Sequence, residues 1–266
     1  MAYLDHAATT PMRPEAVAAM LPYLTENFGN PSGGHAVARA ARLALDDARD
    51  AVAAGLGCDP GEVVFTGSGT ESDNLAVLGA HAAVGGSVVC SAVEHHAVLR
   101  ACQSLGGTIV PVDTAGLIDL DALSDALHPG VGVVSVMLAN NEVGTIQPLA
   151  QVAALVRRRA PTAVLHTDAI AAVPWIDVAA GARPADLVSV SAHKFGGPKG
   201  AGVLVVRRGT PLGPVLHGGA QEQGRRPGTH DLAGIVGTAA ALAAARVAGP
   251  AEVCLLYTSP SPRDCS

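Results

Sequence analysis

Seven short apolar runs, each of strand length, recur along this chain, and helical stretches separate most of them. The runs are Val63–Thr66, Ser87–Ser91, Thr108–Val112, Val131–Ala139, Ala163–Asp168, Leu187–Ser191 and Val203–Arg207. Between them Asn74–Val84, Ala97–Leu105 and Leu149–Arg159 carry a helical period. Two helices precede the first run. Pro14 opens one whose Val17, Met20, Leu21 and Leu24 share a face, and Asn30-Pro31-Ser32-Gly33-Gly34 breaks it. The other runs from about His35 to Leu56 and ends before the turn signal Asp59-Pro60-Gly61. Strands that are apolar on both faces and joined through helices bury both sides of a sheet. The expected fold is therefore α/β, a mostly parallel sheet with helices on both faces. A last helix is expected over Leu232–Val247, stopped by Gly249-Pro250. Residues 1–250 read as one large domain with an N-terminal segment. Residues 251–266 are rich in Ser and Pro without periodicity and read as a disordered or non-native tail.

Charge and composition exclude several functions. The 266 residues carry a formal charge of −6 and no Lys/Arg-rich run, which counts against nucleic acid or an anionic membrane as partner. No apolar stretch reaches bilayer length, and no basic segment leads into an apolar one at the start, so neither a span nor a secretory leader is expected. The five cysteines lack paired spacing. They predict no disulfide framework and no metal site, and a reducing, cytoplasmic setting follows as the expectation.

In such sheets ligands bind beyond the carboxyl ends of the strands. The residues that follow the strands here are Gly67-Ser68-Gly69-Thr70-Glu71, Glu94-His95-His96, Asn140-Asn141-Glu142, Asp168-Ala169 and Ala192-His193-Lys194. The first is a strand that passes through two glycines into hydroxyl residues opening a helix. Close backbone approach and free N–H groups there suit a phosphate, although the segment is neither a Walker loop nor a dinucleotide fingerprint. Lys194 and Lys199 are the only lysines among seventeen basic residues. A desolvated Lys can act as an amine nucleophile, whereas Arg cannot; the count alone does not separate chemistry from an arginine-biased composition. Asp168 by itself could be a helix cap, His95 a structural histidine, and Asn141 a turn residue. Together on one rim with Lys194 and the phosphate cradle, they match what pyridoxal phosphate requires. The Lys bonds its aldehyde, and a carboxylate keeps the ring nitrogen protonated.

The ordered motifs Tyr3-Leu4-Asp5-His6-Ala7-Ala8-Thr9-Thr10-Pro11, Phe28-Gly29-Asn30-Pro31-Ser32, Thr70-Glu71-Ser72-Asp73-Asn74-Leu75 and Glu94-His95 are joined by four more. These are Asn140-Asn141-Glu142-Val143-Gly144, Ser191-Ala192-His193-Lys194, His217-Gly218-Gly219 and Gly228-Thr229. From about residue 3 to about residue 240 the chain resembles the cysteine desulfurases that supply sulfur for iron–sulfur cluster assembly. That group is a branch of the class V aminotransferases of fold-type I. The resemblance implies pyridoxal 5'-phosphate as cofactor and Lys194 as its Schiff-base residue. It implies that Gly69, Thr70, Ser191 and His193 hold the phosphate, that His95 stacks on the ring, and that Asp168 pairs with the ring nitrogen. Asn141 would lie near the ring oxygen and the substrate. Thr229 would reach the cofactor phosphate of a second copy, so a homodimer is implied. L-cysteine would be converted to L-alanine, with sulfur passing through an enzyme persulfide to an acceptor or iron–sulfur scaffold protein.

Two departures from the family pattern stand out. The Gln expected three residues after the aspartate is Ala171. The family also continues well beyond this length into a smaller second domain, which carries the substrate-binding arginine and the nucleophilic cysteine loop; that domain is expected to be largely missing here. None of Cys58, Cys90, Cys102, Cys254 and Cys265 takes the thiolate role, Cys90 and Cys102 being expected to be buried. Lys199 is expected to be structural. The alternatives are another fold-type I enzyme, such as an aminotransferase or selenocysteine lyase, and a cofactor-binding fragment without turnover.

Overall fold

The computed structural model describes residues 3–248, so the stretch read as a separate tail lies outside the described residues. Its strands are β1 (Val63–Thr66), β2 (Ser87–Ser91), β3 (Thr108–Val110), β4 (Val131–Ser135), β5 (Val164–Asp168), β6 (Leu187–Ser191) and β7 (Gly202–Val206). They form one sheet in the order β1-β7-β6-β5-β4-β2-β3. Neighbours β3, β2, β4, β5 and β6 are parallel, whereas β7 is antiparallel to both β6 and β1. β7 alone therefore runs against the other six. The link from β6 to β7 contains only a tight turn at Ala192–Lys194 and a glycine-rich loop. Without a crossover helix the chain can only return antiparallel.

The helices are α1 (Pro14–Leu24), α2 (Ala36–Leu56), α3 (Gly69–Asn74), α4 (Ala80–Val84), α5 (His96–Ser104), α6 (Leu120–Ala126), α7 (Leu149–Arg159), α8 (Val178–Gly181) and α9 (Leu232–Ala248). A π-turn over Leu75–Gly79 joins α3 to α4, so the helix read as Asn74–Val84 is continuous from Gly69. Helices α6 and α8 are additions to the sequence reading. They span only seven and four residues and rest on Asp119 and Asp177, whose side chains accept N–H groups of the first turn. The strand expected over Thr108–Val112 stops at Val110, because Pro111 has no N–H to continue the ladder. The strand expected to reach Ala139 leaves the regular ladder after Ser135, yet Val136 N and Leu138 N still donate to His166 O and Asp168 O at 3.1 and 2.8 Å.

Alternate residues of each strand divide between two cores. On one face Phe65, Val89, Val134, Leu165, Val188 and Val205 pack with α2, α7 and α9. On the other, Val64, Val88, Val133, Val164, Leu187 and Leu204 pack with the helix that follows β1 and with α5. Both faces are covered, as expected. The second face changes character along its strands: Val133 is followed by Ser135, Val164 by His166 and Asp168, and Leu187 by Ser189 and Ser191. All five polar side chains are buried. Polar groups are thus packed beneath the carboxyl edge of the sheet.

Candidate active site

Beyond that edge lies a cavity of about 850 Å³. Eight of the nine residues singled out in the sequence line it: Gly69, Thr70, His95, Asn141, Asp168, Ser191, His193 and Lys194. The ninth, Thr229, is exposed and is not among the residues lining the cavity. Lys199, read as structural, is exposed at the rim and lines the cavity.

The cradle after β1 is built by local hydrogen bonds. Ser68 Oγ accepts Glu71 N at 3.1 Å, and Glu71 Oε2 accepts Gly67 N at 2.7 Å. Arg226 holds the same carboxylate, with Nε 2.7 Å from Oε1. The N–H groups of Gly69 and Thr70 open the helix and have no carbonyl one turn back to bond, so they are free for an anion. Gly69 has no room for a side chain, since a Cβ there would press on Ile170 and come within 3.0 Å of Ser191 Cβ.

Lys194 follows β6. Its Nζ donates to the carbonyl of Ala7 and, at 3.1 Å, to that of Ala8. The N-terminal segment is pinned against this turn: Thr10 Oγ1 donates to His193 O at 2.8 Å and accepts Gly196 N at 2.8 Å. Gly196 has φ +85 and faces Arg13, so only glycine suits it. Partial burial lowers the Lys194 pKa, and the carboxylates of Asp168 and Asp5 work against that shift. Asp168 ends β5 fully buried, with one oxygen accepting Ile170 N at 2.8 Å. Burial raises its pKa to about 6, against that hydrogen bond and the Lys194 charge. His95 caps α5 by accepting Ala97 N at 3.2 Å, and burial followed by the nearby Lys194 charge lowers its pKa. His193 bonds Thr9 Oγ1 at 3.1 Å and is shifted down for the same two reasons. Asn141 is presented by a loop that Asn140 organises, its Oδ1 accepting Glu142 N and Val143 N at 2.9 Å.

This arrangement fits pyridoxal phosphate. An amine and a buried carboxylate share one cavity with an anion cradle, and the glycine of that cradle would be filled by a single Cβ. Ala171 lines the cavity where the family pattern has Gln. Cys90 and Cys102 are buried, as expected, and Cys58 is half-buried with burial raising its pKa to about 11. Among the described residues no group of three or more metal-ligating side chains is assembled, and no helix is long and apolar enough to cross a membrane. Ser68, read from the sequence as a hydroxyl donor of the cradle, also lines the cavity, as do Met137 and Ile170, to which sequence reasoning assigned no role. It also missed Asp73, His166 and Ser189, which lie buried in the sheet–helix interior. The period-two polar residues within β5 and β6 were the available signal for the last two.

Residues 2–253 match the family described as aminotransferase class-V. The chain is 44% identical over 248 residues to the cysteine desulfurase IscS of Dictyoglomus turgidum, covering 90% of this chain and 62% of that protein. It is 46% identical over 244 residues to a cysteine desulfurase of Cereibacter sphaeroides, covering 88% and 62%. Among solved structures, a NifS-like protein superposes with TM-score 0.88 at 36% identity over 92% of this chain and 69% of that one. A structure described as SspA in complex with cysteine gives TM-score 0.84 at 34% identity, over 91% and 72%. The chain thus spans about 60% of the length of the curated relatives it matches.

Proposed function

The chain belongs to the aminotransferase class-V family, and from that premise we propose that it forms the cofactor-binding part of a pyridoxal phosphate-dependent cysteine desulfurase. The observation that carries the reading is Lys194 and Asp168 lining one cavity with the Gly69–Thr70 cradle. Gly69 and Thr70 would bind the phosphate through backbone N–H groups, with Ser191 and His193 supplying side-chain donors. When bound, the cofactor supplies an aldehyde for the Lys194 amine and a ring that accepts electrons.

The chain's own groups do the rest. Asp168, at the end of β5, would hold the negative charge that keeps a proton on the ring nitrogen of the bound cofactor. His95 offers a flat face beside it, and Asn141 a donor at the mouth of the cavity. Lys194, its pKa lowered by burial, is suited to take a proton from the α-carbon of bound L-cysteine and return one to the product carbon. The overall conversion breaks the carbon–sulfur bond. Sulfur passes to a cysteine thiolate as a persulfide, and L-alanine leaves. No described cysteine of this chain takes that thiolate role, because none of Cys58, Cys90 and Cys102 lines the cavity, and Cys90 and Cys102 are buried.

Thr229, exposed on its loop, is suited to reach a second copy, which makes a homodimer part of the proposal. A sulfur acceptor or iron–sulfur scaffold as partner, and a cytoplasmic setting, belong to the same reading.

The test is direct. Pyridoxal phosphate added to the purified protein should give a coloured, borohydride-reducible adduct that Lys194→Ala lacks; an unchanged adduct in that variant overturns the reading. In the whole protein L-cysteine should yield alanine and sulfide. Transamination without sulfur release would replace the desulfurase by an aminotransferase.

A further inference from the structure

Beneath the cavity floor the second face of the sheet carries a row of buried polar side chains. Ser135 Oγ on β4 is 2.8 Å from His166 Nδ1 on β5, and His166 Nε2 is 2.9 Å from Ser189 Oγ on β6. Asp73, on α3, lies over this row with no exposed surface. Neither of its carboxyl oxygens has a hydrogen-bond partner, and Oδ1 stands 3.7 Å from His166 Nε2, beyond hydrogen-bond reach. The mechanism above does not use it.

An ionised Asp73 would need compensation, and its surroundings offer only the Ser189 hydroxyl, which already lies 2.9 Å from His166 Nε2. His166 is the one neighbour that could become a cation. Both its ring nitrogens are already bonded to serines, and burial drives its pKa down to about 3. A buried ion pair at that separation, without a shared hydrogen bond, does not repay the cost of drying two charges. The charged groups that act on Asp73 are acids. Asp168 lies two residues beyond His166 on the same face of β5. Glu94, between β2 and α5, is buried, and its Oε1 accepts Ser91 Oγ and Met137 N at 2.7 Å. Burial, then the charges of Asp168 and Glu94, raise the Asp73 pKa and outweigh the opposing pull of the Ser189 hydroxyl; burial likewise lifts Glu94 to about 8. Of the three acids only Asp168 has a cation, Lys194, across the cavity.

We propose that Asp73 is a positioning residue: a carboxylic acid kept neutral under the cavity floor, so that Asp168 can carry the negative charge facing Lys194. A second charge beside Asp168 would favour its protonation, and the cavity would lose the acid that the proposed function assigns to the ring nitrogen. The inference rests on that reading for its purpose, but not for its test.

The test is carboxyl carbon-13 NMR of aspartate-labelled protein without cofactor. Asp73, assigned by its loss in Asp73→Asn, should resonate as a protonated acid at neutral pH. The same variant should leave the ionisation midpoint of Asp168 unmoved, since it replaces one neutral group by another. An ionised Asp73 resonance overturns the proposal. So does a midpoint for Asp168 that falls by about one pH unit, tenfold in proton concentration, in the variant. Should Asp73→Asn fail to fold, Asp168→Asn gives the same reading: one protonated aspartate resonance must persist at neutral pH, and its absence overturns the claim. Failure of the pyridoxal phosphate reading would show separately, as absence of the coloured adduct.

Discussion

The guanidinium of Arg49 grips both carboxylate oxygens of Glu222, with Nη1 2.9 Å from Oε2 and Nη2 2.6 Å from Oε1. The same carboxylate accepts Phe65 N at 2.9 Å and lies 2.7 Å from His230 Nε2. Glu222 itself sits in the left-handed region at φ 49, a strained backbone for a residue with a side chain. The clamp thus joins α2 and β1 to the loop that carries Thr229, and its contacts hold the strained turn in place.

Glu222→Ala should therefore destabilise the fold by about 3–5 kcal/mol, because it leaves Arg49 half-buried without its partner. Denaturant unfolding measures this. The clamp also has a pH signature. Hydrogen bonds from His230 and Arg49, with the Arg49 charge, outweigh burial and lower the Glu222 pKa from 4.5 to about 2. A depressed acid stabilises fully above its unfolded pKa and loses that contribution as pH falls through the folded one. Part of the acid unfolding between about pH 4.5 and 2 should accordingly vanish in Glu222→Gln.

Asp168 has the opposite sign. Burial raises its pKa from 3.8 to about 6, so between those values the folded protein holds a proton that the unfolded chain has released. Stability falls as pH rises through that window and stays lower above it. Asp168→Asn should make the unloaded protein more stable than the parent above about pH 6, with the difference closing below about pH 4. The same variant should bind pyridoxal phosphate more weakly. Melting temperatures across pH and a binding titration check both halves.

Gly69→Ala would place a methyl group against Ile170 and Ser191 at the mouth of the cradle. Overpacking of this kind costs about 1–3 kcal/mol. If the cradle binds phosphate, the cost should fall on the affinity for pyridoxal phosphate, weakening it about tenfold or more with secondary structure unchanged by circular dichroism.

Ala171 lines the cavity where the family pattern has a Gln that contacts the ring oxygen. Ala171→Gln should restore that donor, shift the absorbance maximum of the loaded protein, and tighten binding by the worth of one hydrogen bond, about 0.5–1.5 kcal/mol. Spectra of parent and variant at matched cofactor concentration read the change.

The alternation of strand and helix, the sheet covered on both faces, and the residues placed after each strand were legible in the chain itself. These follow from local rules, namely the period of apolar positions and the identity of residues at strand ends, which no distant contact needs to supply. Lys194, Asp168 and the Gly69–Thr70 turn were found this way because each closes its own local element. The reversed direction of β7 was not read from the sequence, although the short glycine-rich link after β6, with no room for a crossover helix, carried its signal. Asp73 reads as one more polar residue early in a helix, and Glu222 as one in a glycine-rich loop. Only the folded molecule buries the first against His166 and clamps the second to Arg49, because burial and long-range pairing are properties of the packed chain. The state of a carboxyl group follows its dielectric surroundings and partners, and these exist only after folding.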